Sequence, residues 1–192
     1  MANRLKPLLQ HIISPNQSAF LKGRSIHDNA IMAHEIFHSL KKKRGNGGFM
    51  AVKLDMQKAF DQMEWSFLLR IFSLLGFNSH WIHLVHQCLS SVNFSILLDG
   101  SPHGKFSSSR GLRQGDPLSP FLFILGAEAL SRLIHLEESR GNLHGIKISR
   151  NSPLFLIWLM RMILFFSPRP RLLKLLLSLT VFGNMRSGLG NL

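Results

Sequence analysis

Apolar and polar positions divide most of the chain into alternating helical and extended stretches. In "HDNAIMAHEIFHSLKKK", Ile31, His34, Ile36, Phe37 and Leu40 fall on a helix-like spacing, and the basic, glycine-rich "KKKRGNGG" ends it. "FMAVKLD" is a short, partly β-branched apolar run closed by a carboxylate, which predicts a buried strand delivering Asp55 to its C-terminal end. Helical spacing returns in "EWSFLLRIFSLLGF", which stops at Gly76, and in "SHWIHLVHQCLSSV", where Ser79 is the expected cap. "NFSILLDGSPHGKFSSS" is two extended runs about "DGSPHG", a hairpin signal. "RGLRQGDPLSPFLFILGAEALSRLIHLEES" opens as a glycine and proline loop and becomes a long helix with Pro117 or Pro120 near its first turn, and "LHGIKIS" predicts one more strand. The order helix, strand, two helices, hairpin, loop-helix, strand predicts an α+β fold, with helices packed on a small, mostly antiparallel sheet. No internal repeat is present.

Two apolar stretches follow. "PLFLIWLMRMILFF" holds about thirteen apolar positions around Arg161, short of the roughly 20 that cross a bilayer. "RLLKLLLSLTVF" carries Lys174 and suits an amphipathic core helix. At the other end, charges and Pro7 break up "MANRLKPLLQHII", which therefore lacks the continuous apolar core of a signal peptide. Neither a membrane span nor export is expected.

Composition narrows the function classes. At 192 residues and 45% apolar content, the chain has enough material for one domain with a substantial core. Its 23 Lys+Arg against 10 Asp+Glu give a formal charge of +13, which favours a polyanion: nucleic acid first, an anionic membrane surface second. The single Cys88 excludes an internal disulfide and a cysteine-based zinc cluster, and is expected as a small buried apolar residue. His80, His83 and His86 recur at helical spacing without the Glu or Cys company of a zinc site.

Two stretches carry candidate chemistry. In "VKLDMQKAFDQMEW", a carboxylate at the end of an apolar strand is costly to bury without a partner; Asp55 suits a divalent cation, or a turn former neutralised by Lys53 and Lys58. In "SSRGLRQGDPLSPFLFIL", Gly111 and Gly115 permit close backbone approach to a ligand, Arg110 and Arg113 supply charge, and Gln114 offers a donor and an acceptor. That loop suits a nucleotide or phosphate cradle, or simply a capped helix start.

In this order, with a helical pair and a hairpin between them, the two stretches closely resemble the palm of reverse transcriptases from non-LTR (LINE-like) retroelements, particularly the plant kind. The similarity begins at "NRLKPLL", runs through "IISPNQSAFLKGRSIHDN" and continues to "LHGIKISRNSP". It implies a right-hand palm with partial fingers: residues 1–50 as the fingers portion, 51–153 as the palm core, and 154–192 as a degraded palm hairpin with the start of a thumb connection, the thumb itself missing. It implies RNA-templated DNA synthesis with Mg2+, an RNA template, a DNA primer and deoxynucleoside triphosphates as partners, an intracellular location in nucleus or cytoplasm, and no obligate oligomer. By the same resemblance Asp55 is the first metal-binding aspartate, and Phe60 the aromatic gate beneath the incoming sugar. Met56, Gln57, Lys58 and Ala59 form the turn whose amides face the triphosphate. Gln114 and Gly115 line the templating base and nucleotide. Arg24 is similar to the fingers arginine that closes on the phosphates, with Lys22 as the alternative. Asp61 resembles a fixed letter of the motif, but with Glu64 it also suits a helix start electrostatically.

The resemblance also exposes a gap. The family chemistry needs a second strand-turn-strand carrying two adjacent aspartates soon after "LHGIKI", and after Glu138 the chain has no acidic side chain. One aspartate cannot hold two magnesium ions against their repulsion, so the chain is expected to be a reverse transcriptase domain fragment with little or no polymerase activity; the alternative is a non-catalytic basic remnant that binds RNA or a hybrid duplex. Reading one base earlier through Ile157-Trp158-Leu159-Met160-Arg161 permits Leu-Ala-Asp-Glu, close to the lost motif. The apolar run is therefore read as a frame-shifted or mis-spliced metal hairpin. Packed as a strand, it would leave Arg161 in need of a partner, and some local disorder is expected there.

Overall fold

A computed structural model describes residues 1–42, 50–53, 57–147, 154–155, 157–158 and 163–166, with side chains described within 1–42 and 57–145. Its centre is a long helix, Ser119–Ser139, whose second residue is Pro120; a missing amide costs nothing there, because first-turn amides have no helical partner. Ten of its residues are buried, from Ser119 to Ile134. By length and composition it could cross a membrane, but most of that apolar stretch is buried within this fold, so it is a core helix here.

Numbered in chain order, the helices are α1 (Ala2–Ile12), α2 (Ile26–Lys42), α3 (Trp65–Leu74), α4 (Ser79–Ser90) and α5 (Ser119–Ser139). α3 packs on α4 and α5, and α1 packs on α5. Leu5 and Leu9 of α1, Leu68 and Phe72 of α3, Val85 of α4 and Leu122 of α5 meet in one apolar cluster. Each such side chain contributes on the order of 1.5–3 kcal/mol by leaving water. α2 buries only Asn29 and Ile36, leaving Ile31 and Phe37 exposed.

The strands are β1 (Met50–Lys53), β2 (Asn93–Leu98), β3 (Ser101–Ser107), β4 (Ile146–Lys147), β5 (Leu154–Phe155), β6 (Ile157–Trp158) and β7 (Ile163–Phe166). Every pairing is antiparallel: β2 with β3, β4 with β5, and a three-stranded sheet in the order β1-β7-β6. Met50 faces Phe166 and Lys53 faces Ile163 across β1 and β7. The expected α+β arrangement of helices with small antiparallel sheets is therefore what forms.

Several local expectations change. α1 forms although Pro7 lies inside it, because Leu5 and Leu9 sit one turn apart and both are fully buried. The cap of α4 is Asn78, whose Oδ1 accepts from the Trp81 amide at 2.8 Å, and not Ser79. The hairpin turn is Asp99-Gly100 alone: both have positive φ, 47° and 77°, as a two-residue type I′ turn requires, and "SPHG" joins the strand. Cys88 is exposed, not buried. Three strands form from the closing apolar run, whereas the helix expected over 171–182 lies outside the described residues.

Candidate functional site

The chain leaves β1 and, from Gln57 to Gln62, makes a turn in which the Gln62 amide donates to the Lys58 carbonyl at 3.0 Å. Lys58 sits at φ 50°, a left-handed conformation that favours glycine and marks a constrained backbone. Asp55 and Met56 lie outside the described residues. Gln57 and Lys58 are exposed, while Ala59 and Phe60 are half-buried.

The second stretch folds directly onto this turn. The Gly111 amide donates to the Met63 carbonyl and the Leu112 amide to the Phe60 carbonyl, each at 2.8 Å. The Trp65 indole N–H donates to the Gly111 carbonyl at 2.7 Å. Phe60 stacks on Phe123 of α5, with ring centroids 5.0 Å apart and planes 12° from parallel. Gly111 has φ +92°, and a β-carbon there would lie 3.0 Å from the Asp61 carbonyl oxygen. Its close approach in this fold is to the Asp61 backbone.

Beyond Gly111 the loop turns outward. Gln114 and Gly115 are exposed, and Gly115, at φ +82°, has open space where a side chain would be. Asp116 anchors the turn: one carboxylate oxygen accepts from the Leu118 amide at 2.8 Å, the other from Arg113 at 2.9 Å. Arg110 reaches Glu64 at 3.6 Å, an exposed pair. Between this loop, the end of α4 and the base of the β2–β3 ribbon lies an open cleft of about 360 Å³. Asp61 lines that cleft, exposed and without a hydrogen-bonding partner among the described residues; it does not cap α3, whose N-cap is Glu64.

Arg24 is engaged elsewhere. Its guanidinium donates to the carbonyls of Ser14 and Gln17 at 2.7 Å each and of Ile13 at 3.3 Å, tying the 13–24 loop together, while Lys22 is exposed. Glu128, only 3% exposed, completes the tie by accepting from the Ser14 amide at 3.0 Å, the Ser14 hydroxyl at 2.7 Å and Arg132 at 3.2 Å. The hydrogen-bonding roles of Trp65 and Glu128 were not anticipated from the sequence. Their partners stand 46 and 114 residues away, so no local pattern signals them.

Among the described residues, which do not include Asp55, the carboxylates are not arranged to hold a pair of metal ions. Among the described residues no three of His, Cys, Asp and Glu gather as a metal site. Glu64, Asp116, Glu128 and Glu137 each face an arginine, and Glu138 faces His135. The strand pair beside β1 comes from a stretch that contains no carboxylate.

Comparison with known proteins agrees with this geometry. Residues 1–150 match the family described as reverse transcriptase (RNA-dependent DNA polymerase). Over 58 residues the chain is 54% identical to the uncharacterized mitochondrial protein AtMg01250 of Arabidopsis thaliana, covering 30% of this chain and 48% of that protein. Over 124 residues it is 30% identical to the retrovirus-related Pol polyprotein from type-1 retrotransposable element R2 of Popillia japonica, covering 64% of this chain and 17% of the polyprotein. The chain thus spans less than half the length of these relatives. The fold superposes on the structure of apo telomerase from Candida tropicalis truncated from its C-terminal domain, with a TM-score of 0.59 and 14% identity, over 92% of this chain and 36% of that one. The family match across residues 1–150 places this chain in the reverse transcriptase family, related to the polyproteins of non-LTR retrotransposons.

Proposed function

We propose that the chain is a reverse transcriptase domain that keeps the cradle for an RNA template paired to a DNA primer but has lost the means to extend the primer. In this reading residues 1–50 are the fingers portion, 51–153 the palm core, and 154–192 the remains of the hairpin that completes the active site. Phe60 is the gate under the incoming sugar. The 56–59 turn and the Gln114-Gly115 loop flank the nucleotide, and Asp55 is the surviving metal ligand. Arg24 serves the phosphates only if it leaves its three carbonyl partners, so exposed Lys22 is the readier cation.

One observation carries the proposal. The sheet order β1-β7-β6 sets the strand leading to Asp55 beside two strands whose surrounding sequence, from Ser139 to Leu192, contains no Asp or Glu. The family uses divalent metal ions, and two such ions held close together need carboxylates from both sides. Here only one side can supply them. The +13 charge still favours a polyanionic duplex.

Titration of the chain against a fluorescent RNA–DNA hybrid with an RNA overhang tests the retained half of this function. Anisotropy should report binding that weakens by a factor of about 10³ or more between 50 and 200 mM salt, as phosphate contacts require. Absence of binding, or binding indifferent to salt, contradicts it.

A further inference from the structure

In the middle of α2 stands "HEIFH", two histidines four residues apart with a glutamate after the first. Four residues make about one helical turn, so His34 and His38 rise from one face with β-carbons roughly 5–6 Å apart. Ile36 lies between them in sequence and is fully buried, while His34, Glu35 and His38 are exposed. None of these three side chains has a hydrogen bond or ion pair to another described residue. Glu35, three residues before His38, adds negative charge beside the pair. Of the chain's ten histidines, only His34 and His38 stand four apart. Others are engaged: His86 in α4 packs its ring at 86° to that of Trp65, and His135 pairs with Glu138.

We propose that His34 and His38 chelate one divalent transition cation of the imidazole-preferring class, such as zinc, with water filling its remaining positions. Imidazole nitrogen suits zinc, whereas magnesium prefers oxygen ligands and is left unbound. A peptidase built on this spacing uses a third protein ligand, and none gathers with the pair among the described residues. The pair thus binds a cation and does not build a hydrolytic centre. Its effect falls on the helix itself. α2 buries only Asn29 and Ile36, so little packing holds it in place. A cation bridging one turn needs that turn to be helical, so its binding free energy adds to the stability of α2. The site uses no residue of the paired turn and loop, and it stands whether or not the chain binds a template.

The test is calorimetric titration of the full chain, free of any affinity tag, with zinc chloride, and with magnesium chloride for comparison. Zinc should bind and magnesium should not. His34→Ala and His38→Ala should each weaken zinc on the order of 100-fold, because one imidazole no longer holds the cation against the other. The double change His80→Ala, His83→Ala, which removes the two exposed histidines three apart on α4, should leave the affinity as it was. Adding Ala30→His to His38→Ala places a histidine four residues before His34 on an exposed position of α2 and should restore binding. Amide exchange measured over residues 26–42 should slow when zinc is added to the unaltered chain and not when it is added to His38→Ala. Absence of zinc binding, unchanged affinity in either single variant, an equal loss in the α4 double variant, or failure of Ala30→His to restore binding overturns the chelate. Unchanged amide exchange overturns its effect on the helix.

Discussion

At Gly111 a β-carbon would stand 3.0 Å from the carbonyl oxygen and 3.3 Å from the α-carbon of Asp61, and both are backbone atoms that cannot swing aside. The residue also holds φ +92°, where any side chain is strained. Gly111→Ala should therefore destabilise the fold by about 1–3 kcal/mol, read as a lower urea midpoint. Glu128 poses a similar problem in polar form. Glu128→Ala leaves the Ser14 amide and hydroxyl without their acceptor, at a cost of about 1–3 kcal/mol, whereas Glu128→Gln keeps an acceptor and should lose less in the same titration. At this scale the sequence disclosed what motifs carry. The 57–62 turn and the 110–118 loop that hold Phe60, Gln114 and Gly115 are legible as turns and loops from their local residue types. Trp65 and Glu128 are not, because a long-range hydrogen bond leaves no mark on the residues around either partner.

Among the elements, α1 shows how packing overrides propensity. Pro7 removes one amide donor from the helix interior, yet the burial of Leu5 and Leu9 holds the helix in place. Because Pro7 is exposed, Pro7→Ala should restore the donor and raise stability by up to about 3 kcal/mol, visible as a higher thermal midpoint and more helical ellipticity. Strands and helices with a clean period were readable in the sequence, as were the loop before α5 and the hairpin's existence. The extent of the hairpin turn was not, since "DGSPHG" concentrates turn formers while pairing resumes at once with Leu98 opposite Ser101, leaving only Asp99 and Gly100 in the bend. The closing apolar run is extended where it is described. Its β6 and β7 join β1 as apolar strands readily do, whatever their origin. If they replace a metal hairpin through a shifted frame, the gene's nucleotides over residues 154–162 should contain acidic codons in a neighbouring frame. Sequencing that stretch and finding none there refutes the shift.

For the whole molecule, one apolar core built on α5 positions two distant stretches of sequence against each other, and their meeting forms the candidate site. Family and general architecture were legible because the order of motifs constrains topology. What no pattern could supply was the exposure of the β2–β3 ribbon and of Cys88, because alternation and apolarity alone do not say whether another layer covers them. In the proposed function a cradle for template and nucleotide survives without its second set of carboxylates. Primer extension on an RNA template with magnesium and deoxynucleoside triphosphates measures this directly, with Asp55→Asn alongside. The unaltered chain should show no extension above that variant; templated extension that Asp55→Asn abolishes would overturn the loss of activity.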